Sequence, residues 1–367
     1  MTIETGMAPA PQRARIGLIG AGWWATSNHL PLLAARPDVE LAAVCRLGTD
    51  ELRRVQERFG FPFATEDYRA LLDQPLDGVI VASPHTLHYE HARAALLKGM
   101  HVLVEKPMTT RADQAWELVR LANQRGLSLV VPYGWHYKPF VLQAKQLMDQ
   151  GAVGRVRHVS CHMASPILDL LSGRGSVDQA RSGSADQADL LFSPTPSTWA
   201  DPAIAGGGYG HAQLSHATGL LCWLTGLRAE EVFARMSSPG AQVDLYDALS
   251  VRFEGGAIGA VSGAGSVPAD GPFQLDIRIF GADGQLCLDV ERERVEVRRH
   301  DGTVTHIPVS PGEGAYSCEG PPNRFVDLIL GLAERNDSPG EAAARSVELL
   351  DAAYRSAASG APERVQL

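Results

Sequence analysis

An apolar run at residues 15–19 ends in Gly20-Ala21-Gly22-Trp23-Trp24-Ala25 and opens into a helix-like stretch at 23–36. A strand that enters a helix through two glycines needs a sharp turn, which the first glycine permits. It also needs close backbone approach to a neighbour, which the second permits. Such a turn points the first amides of the helix at an anion, and a pyrophosphate suits it. Ala25 stands at the third glycine position, a replacement that this fingerprint tolerates.

The same alternation continues. Apolar runs at 40–45, 78–82, 101–105 and 128–132 are separated by helix-like stretches at 50–59, 87–98 and 110–125. Short, nearly continuous apolar strands between helices predict a doubly wound parallel sheet, a Rossmann-type α/β unit covered on both faces. Ligands of such a sheet bind at the carboxyl ends of its strands. After about residue 150 the pattern changes, with strands expected at 156–162, 248–253, 257–262, 273–280, 285–290 and 295–299. Phe273, Leu275, Ile277 and Ile279 alternate with Gln274, Asp276 and Arg278, the period of a strand with one buried face. Ala282-Asp283-Gly284 supplies a tight turn. An α+β domain with an open, mostly antiparallel sheet is expected, closed by helices at 324–334 and 339–358.

The chain has 367 residues, enough for roughly two domains. We expect a short disordered leader at 1–14, a dinucleotide-binding unit at 15–138, and a C-terminal unit at 139–367. The Ser-, Gly-, Asp- and Pro-rich stretch 171–206 reads as a surface loop, or as a lid or oligomer arm. Lys and Arg total 33 against 42 Asp and Glu, a formal charge of −9. Without a basic run, such a chain is a poor match for nucleic acid or an anionic membrane surface. There is no apolar run long enough to span a bilayer. Five well-separated cysteines, Cys45, Cys161, Cys222, Cys287 and Cys318, suit reduced thiols in the cytoplasm and offer no zinc-type spacing. No metal is expected.

Three strand ends carry chemistry. The second expected strand runs into Cys45-Arg46-Leu47-Gly48-Thr49. An acid in this region commonly accepts from the ribose of NAD. Arg46 can instead pair with a 2′-phosphate, assisted by Thr49, which favours NADP(H) with NAD(H) as the alternative. The third ends in Ser83-Pro84-His85-Thr86-Leu87-His88, facing the crevice. His88 could equally be a packed helix residue. The fourth ends in Glu105-Lys106-Pro107. A lysine there, beside a bound nicotinamide, can hold a hydroxyl and stabilise a developing alkoxide. Only four lysines occur in the chain, Lys98, Lys106, Lys138 and Lys145, so one at a strand end is conspicuous.

The glycine turn, the Ser83-Pro84…His88 element, Glu105-Lys106-Pro107 and the later Gly206-Gly207-Gly208…His216 occur in order. The chain in this respect resembles the Gfo/Idh/MocA oxidoreductases. The resemblance runs from Arg15 to the final helix and is strongest through Pro139. It implies an N-terminal Rossmann domain joined to a C-terminal α/β domain. It also implies a dehydrogenase or reductase that moves a hydride between NAD(P) and a hydroxyl or keto group of a sugar, glycoside or cyclitol. A homodimer or homotetramer would form through the C-terminal sheet.

Carried onto this sequence, the resemblance makes Lys106 and His216 the catalytic residues. Gly20, Gly22, Trp23, Trp24, Arg46, Thr49, Ser83, Pro84, His88, Glu105 and Lys106 become the cofactor-binding residues. Tyr133, Trp135, His136, Trp199, Tyr209 and His211 become candidates for the substrate, since flat rings suit the apolar face of a sugar. Many members carry an Asp four residues before the histidine, where this chain has Ala212. Either Lys106 and His216 suffice, or His211 or Tyr209 stands in. That departure leaves a non-catalytic dinucleotide sensor as one alternative. Oxidation of a glycoside to a keto-glycoside before deglycosylation is another.

Overall fold

The computed structural model describes residues 13–174, 190–268, 271 and 273–366. Two sheets organise them. The first has six parallel strands: β1 (Ala14–Ile19), β2 (Val39–Cys45), β3 (Phe63–Thr65), β4 (Gly78–Val81), β5 (His101–Val104) and β6 (Leu129–Val130). Their order, β3-β2-β1-β4-β5-β6, reverses direction between β1 and β4. That switch point opens a crevice above the carboxyl ends of both strands.

The second sheet has nine strands: β7 (Val156–Ala164), β8 (Ala229–Ser237), β9 (Tyr246–Phe253), β10 (Ile258–Ala264), β11 (Gln274–Gly281), β12 (Gly284–Asp289), β13 (Arg294–Arg299), β14 (Val304–Ile307) and β15 (Glu363–Arg364). The order is β14-β13-β12-β11-β7-β10-β9-β8-β15, and only β7 and β10 run parallel. The expected parallel-then-antiparallel organisation is therefore present. The alternation read in residues 273–279 holds, with Leu275, Ile277 and Ile279 buried against the helices.

Sequence patterning missed β3, β8, β14 and β15. β3 is three half-buried residues, and β8 begins Ala229-Glu230-Glu231, which reads as polar. The helix expected over 23–36 is interrupted. Ala25–His29 is wound as a π-helix and Leu30–Ala34 as an α-helix. Pro31 has no N–H to give the carbonyl of Ser27, so the regular ladder cannot run through.

The two halves share core rather than merely abutting. The last helix, Gly340–Ser359, presents Ala343, Ala344 and Val347 to the parallel-sheet core. Its Ala342, Ala352 and Ala353 face the core beneath the nine-stranded sheet. Small side chains let one helix approach both layers closely. Helix Gly320–Ile329 adds Phe325 and Val326 to the other face of the parallel sheet, packed with Ile16, Leu18 and Leu30. The far end of the chain thus helps to fix the crevice. The expected leader lies outside the described residues up to position 12, and part of the expected 171–206 loop, 175–189, lies outside them too.

Candidate active site

The crevice continues as one cavity of about 560 Å³, from the end of β2 at Arg46 and Leu47 to the face of the second sheet at Phe273. Each part of its wall has a local cause.

At β1, Gly20 has φ +90°, and a Cβ there would lie 2.3 Å from the backbone N of Ser83. Only glycine lets β1 and β4 end this close together. A Cβ on Gly22 would meet no atom within 4 Å, so the space beside it is open to the cavity. At β2, Arg46 donates through Nη1 to the Ala21 carbonyl at 2.7 Å, while its buried Nε has no hydrogen-bond partner. An open glycine turn at a helix start, next to an orphan cationic donor, fits the phosphates and ribose of a dinucleotide.

At β5, the Glu105 carboxylate is held from three sides. Trp24 Nε1 donates to Oε1 at 2.7 Å, the Lys106 amide donates to Oε2 at 3.1 Å, and His29 Nε2 lies 2.7 Å from Oε1. Burial pushes this carboxyl upward, but the His29 hydrogen bond and the nearby positive charge outweigh it, and the net shift is down. Glu105 is an oriented, ionised group. The adjacent Lys106 is buried, and its Nζ donates to the backbone carbonyl of Ala212 at 2.7 Å. Burial lowers its pKa, which the charge of Glu105 partly offsets.

His216 lies on helix Ser215–Thr225, directly after Gly210–Leu214, which is wound as a π-helix. Its ring meets Tyr316, Trp135 and Tyr133 edge-on at 5.1, 5.8 and 5.9 Å. Its Nδ1 is buried without a hydrogen-bond partner. Burial, followed by the charge of Lys106, depresses its pKa well below the ordinary value, so the ring is neutral near pH 7. A lysine ammonium and a neutral imidazole on one wall can hold a hydroxyl oxygen and take its proton.

Of the residues expected from sequence to bind the cofactor, Gly20, Gly22, Trp23, Trp24, Arg46, Ser83, Pro84, His88, Glu105 and Lys106 all line this cavity. Thr49 is not among them: its hydroxyl donates to Glu66 at 2.9 Å on the exposed side. His88 is positioned by two backbone carbonyls, Ser83 at 2.7 Å and Pro107 at 2.8 Å, and so joins the two motifs. Of the substrate candidates, Trp135 and Trp199 reach the cavity. Tyr133, His136, Tyr209 and His211 stand behind its wall. His136 stacks on Trp223 at 4.5 Å, and Tyr209 donates to the Met163 carbonyl at 3.1 Å. His211 packs on Tyr354 at 4.4 Å. Both carboxylate oxygens of Asp244 hold the turn before these residues, accepting from the amides of Gly208 at 2.7 Å and Gly210 at 2.8 Å.

Sequence reasoning missed His85, Phe192, Gln213, Phe273 and Tyr316, which all line the cavity. His85 sits inside a motif already singled out. Phe192 falls within the 171–206 stretch read as a loop, lid or arm, whereas no local signal marks Phe273 or Tyr316, which distant segments bring in. Among the described residues no group of three or more His, Cys, Asp or Glu is placed to hold a metal ion, and no helix is long and apolar enough to cross a membrane.

Comparison with known proteins agrees with this geometry. A model described as an oxidoreductase family with an NAD-binding Rossmann fold matches residues 14–133. A GFO/IDH/MocA C-terminal domain matches residues 141–287. The dTDP-3,4-didehydro-2,6-dideoxy-alpha-D-glucose 3-reductase of Actinomadura kijaniata is 37% identical over 41% of this chain and 46% of its own. The match therefore spans about half the length of that relative. The levoglucosan dehydrogenase of Pseudarthrobacter phenanthrenivorans is 26% identical over 83% of each chain. Among solved structures, GenD2 from gentamicin A biosynthesis, in complex with NAD, superposes with a TM-score of 0.72 at 25% identity, over 99% of this chain and 100% of its own.

Proposed function

The chain belongs to the Gfo/Idh/MocA oxidoreductase family, and from that premise we propose that it oxidises or reduces a secondary hydroxyl or keto group of a sugar, glycoside or cyclitol. The observation that carries this reading is that Lys106 and His216 open onto the same cavity as the Gly20–Gly22 turn. Bound along that turn, a nicotinamide dinucleotide supplies the hydride acceptor or donor. The rest is done by the chain's own residues. Lys106 uses one N–H on Ala212 and keeps two for the substrate oxygen, whose developing negative charge it stabilises. Neutral His216 takes the hydroxyl proton in oxidation and returns it in reduction. Trp135, Trp199, Phe273 and Tyr316 cover the apolar face of the ring and exclude water. Relatives named for dTDP-sugar, levoglucosan and glucoside chemistry support a carbohydrate substrate.

Arg46, with no acid in its place and Nε unpaired, supports NADP(H) over NAD(H). Residues 15–138 would hold the dinucleotide and 139–367 the substrate. The outer face of the nine-stranded sheet, where Ile258 is exposed, would join copies of the chain into a homodimer or homotetramer. Five unpaired thiols support a cytoplasmic location.

The test is reduction of NADP⁺ or NAD⁺, followed by absorbance, with a panel of sugars, glycosides and inositols. A signal with a few related sugars is the expected result. Dinucleotide binding without turnover on any member would favour the sensor alternative.

A further inference from the structure

Residues 190–205 belong to the part of the chain that leads into the second sheet, yet they are fastened to the parallel-sheet unit along the open side of the cavity. Three sets of contacts do this. At one end, the Phe192 ring lies under the Arg46 guanidinium, 4.0 Å from ring centroid to Cζ, with Arg54 on the same ring at 5.1 Å. Arg54 Nη2 also donates to the Leu191 carbonyl at 2.8 Å, and Leu191 and Phe192 pack against the parallel-sheet core. In the middle, Trp199 meets His85 edge-on at 5.4 Å and lies 6.0 Å from Lys106 Nζ. At the far end, Thr86 donates to the Ile204 carbonyl at 3.0 Å, and His85 Nδ1 lies 3.0 Å from the Ala205 carbonyl.

The Arg46–Phe192 contact is placed at the strand end where the adenosine of a dinucleotide would sit. Phe192, Ser193, Pro194 and Thr195 line the cavity together with Arg46, Leu47, Glu66 and Tyr68. A guanidinium spread over an aromatic ring is a flat, partly desolvated pair, and the Nε of Arg46 remains an unused donor. A purine nucleoside offers a flat face to such a pair and polar atoms to such a donor. Arg46 is also tied to Ala21, so the ring and the Ala21 carbonyl together fix the guanidinium at the strand end.

We propose that Phe192, held by Arg46 and Arg54, is a clamp from the second half of the chain on the adenosine end of the bound dinucleotide. It governs how fast the dinucleotide leaves. This rests on the reading of the cavity as a nicotinamide dinucleotide site. Phe192 would touch the dinucleotide at its adenosine end and takes no part in the proton or hydride step. The opposite possibility is a plug, in which Phe192 occupies the space that the base needs. The two predict effects of opposite sign.

The experiment measures release of NADPH and NADH from the full-length protein by stopped flow, chasing with excess oxidised dinucleotide and following nicotinamide fluorescence. For Phe192→Ala the release rate rises about tenfold or more, and Kd by calorimetry rises with it, as loss of an aromatic contact on a base predicts. Phe192→Trp restores release to within about threefold of the wild type, which a general loosening of the fold would not do. Arg54→Ala, which removes one hold on the strap but leaves Phe192 and Arg46 in place, speeds release in the same direction. A Phe192→Ala release rate within about twofold of the wild type, or a lower Kd, overturns the clamp. Wild-type protein that binds neither dinucleotide overturns the reading of the cavity itself.

Discussion

The Lys106 ammonium donates a 2.7 Å hydrogen bond to the backbone carbonyl of Ala212. The family resemblance leads to an aspartate being expected at position 212; this chain has Ala212, which supplies the acceptor through its main chain. Gly210–Leu214 is wound as a π-helix, whose wider turns re-aim backbone groups. A carbonyl orients the ammonium without cancelling its charge. Glu105, one residue away, is the carboxylate that raises the Lys106 pKa against burial. Neither His211 nor Tyr209 takes the aspartate's place, because both point into the core behind the wall.

His216 acts as a neutral base in this account. Its pKa is depressed, so the proton-accepting form persists as pH falls to the ordinary histidine value and below. The rate of alcohol oxidation is expected to hold from pH 8 down to about 6.5 and to decline only on further acidification. His216→Asn should lower kcat by roughly two to three orders of magnitude and abolish that acid limb. A retained acid limb in the variant would assign it to another group.

Arg46 is the test of cofactor choice. On the proposed reading, Arg46→Asp removes the cation that would face the ribose and supplies an acceptor for its hydroxyls. The ratio of kcat/KM for NADP to that for NAD should fall by about tenfold or more, measured with one substrate at saturation. An unchanged ratio would remove Arg46 from cofactor discrimination.

Asp244 ties down the glycine run that leads to His216. With two backbone amides on its buried carboxylate, Asp244→Ala strands both donors and should cost about 2–4 kcal/mol in chemical denaturation. Asp244→Asn keeps one oxygen acceptor and should cost less. Equal stability of all three proteins would contradict this role.

Buried histidines give the fold an acid-sensitive side. Burial holds His136 at about 3 and His211 at about 4, the latter shift being partly offset by Asp244. Both folded-state values lie below the unfolded one. Between the two values the unfolded chain binds protons that the folded chain refuses, so stability is full above about pH 6.5 and declines as pH falls. Asp247 works the other way: burial, then Asp244, pushes its carboxyl well up, so the folded chain holds a proton there that the unfolded chain releases. Burial also depresses His216, His85, His88, His91 and His101, so the histidines together outweigh the one carboxyl and Tm should fall between pH 7 and pH 5. A higher Tm at pH 5 would contradict the neutral, buried state of these rings.

The first half of the chain was readable because most of its strands are short and largely apolar and its functional residues follow directly on them. Gly20, Ser83 and Lys106 come within two residues of the ends of β1, β4 and β5. The turn Gly48-Thr49 carries Thr49 outward onto Glu66, which the spacing alone could not reveal. Around the substrate wall, residue type misled. Tyr133, His136, Tyr209 and His211 are polar aromatics next to the right segments, but packing turns them inward. Tyr209 fits against Gly263, where a Cβ would lie 2.7 Å from its ring. Whether an aromatic ring faces a cavity or a core depends on what lies opposite it, here a bare glycine on β10.

Lys106 joins the dinucleotide crevice to the substrate wall, so Lys106→Ala should separate binding from hydride transfer. Calorimetry with the preferred dinucleotide and a single-turnover oxidation of an active sugar should be run on the wild type and the variant together. In the variant a dinucleotide Kd within about threefold of the wild type and a single-turnover rate lower by roughly two to four orders of magnitude are expected. A variant that transfers hydride at the wild-type rate would contradict it.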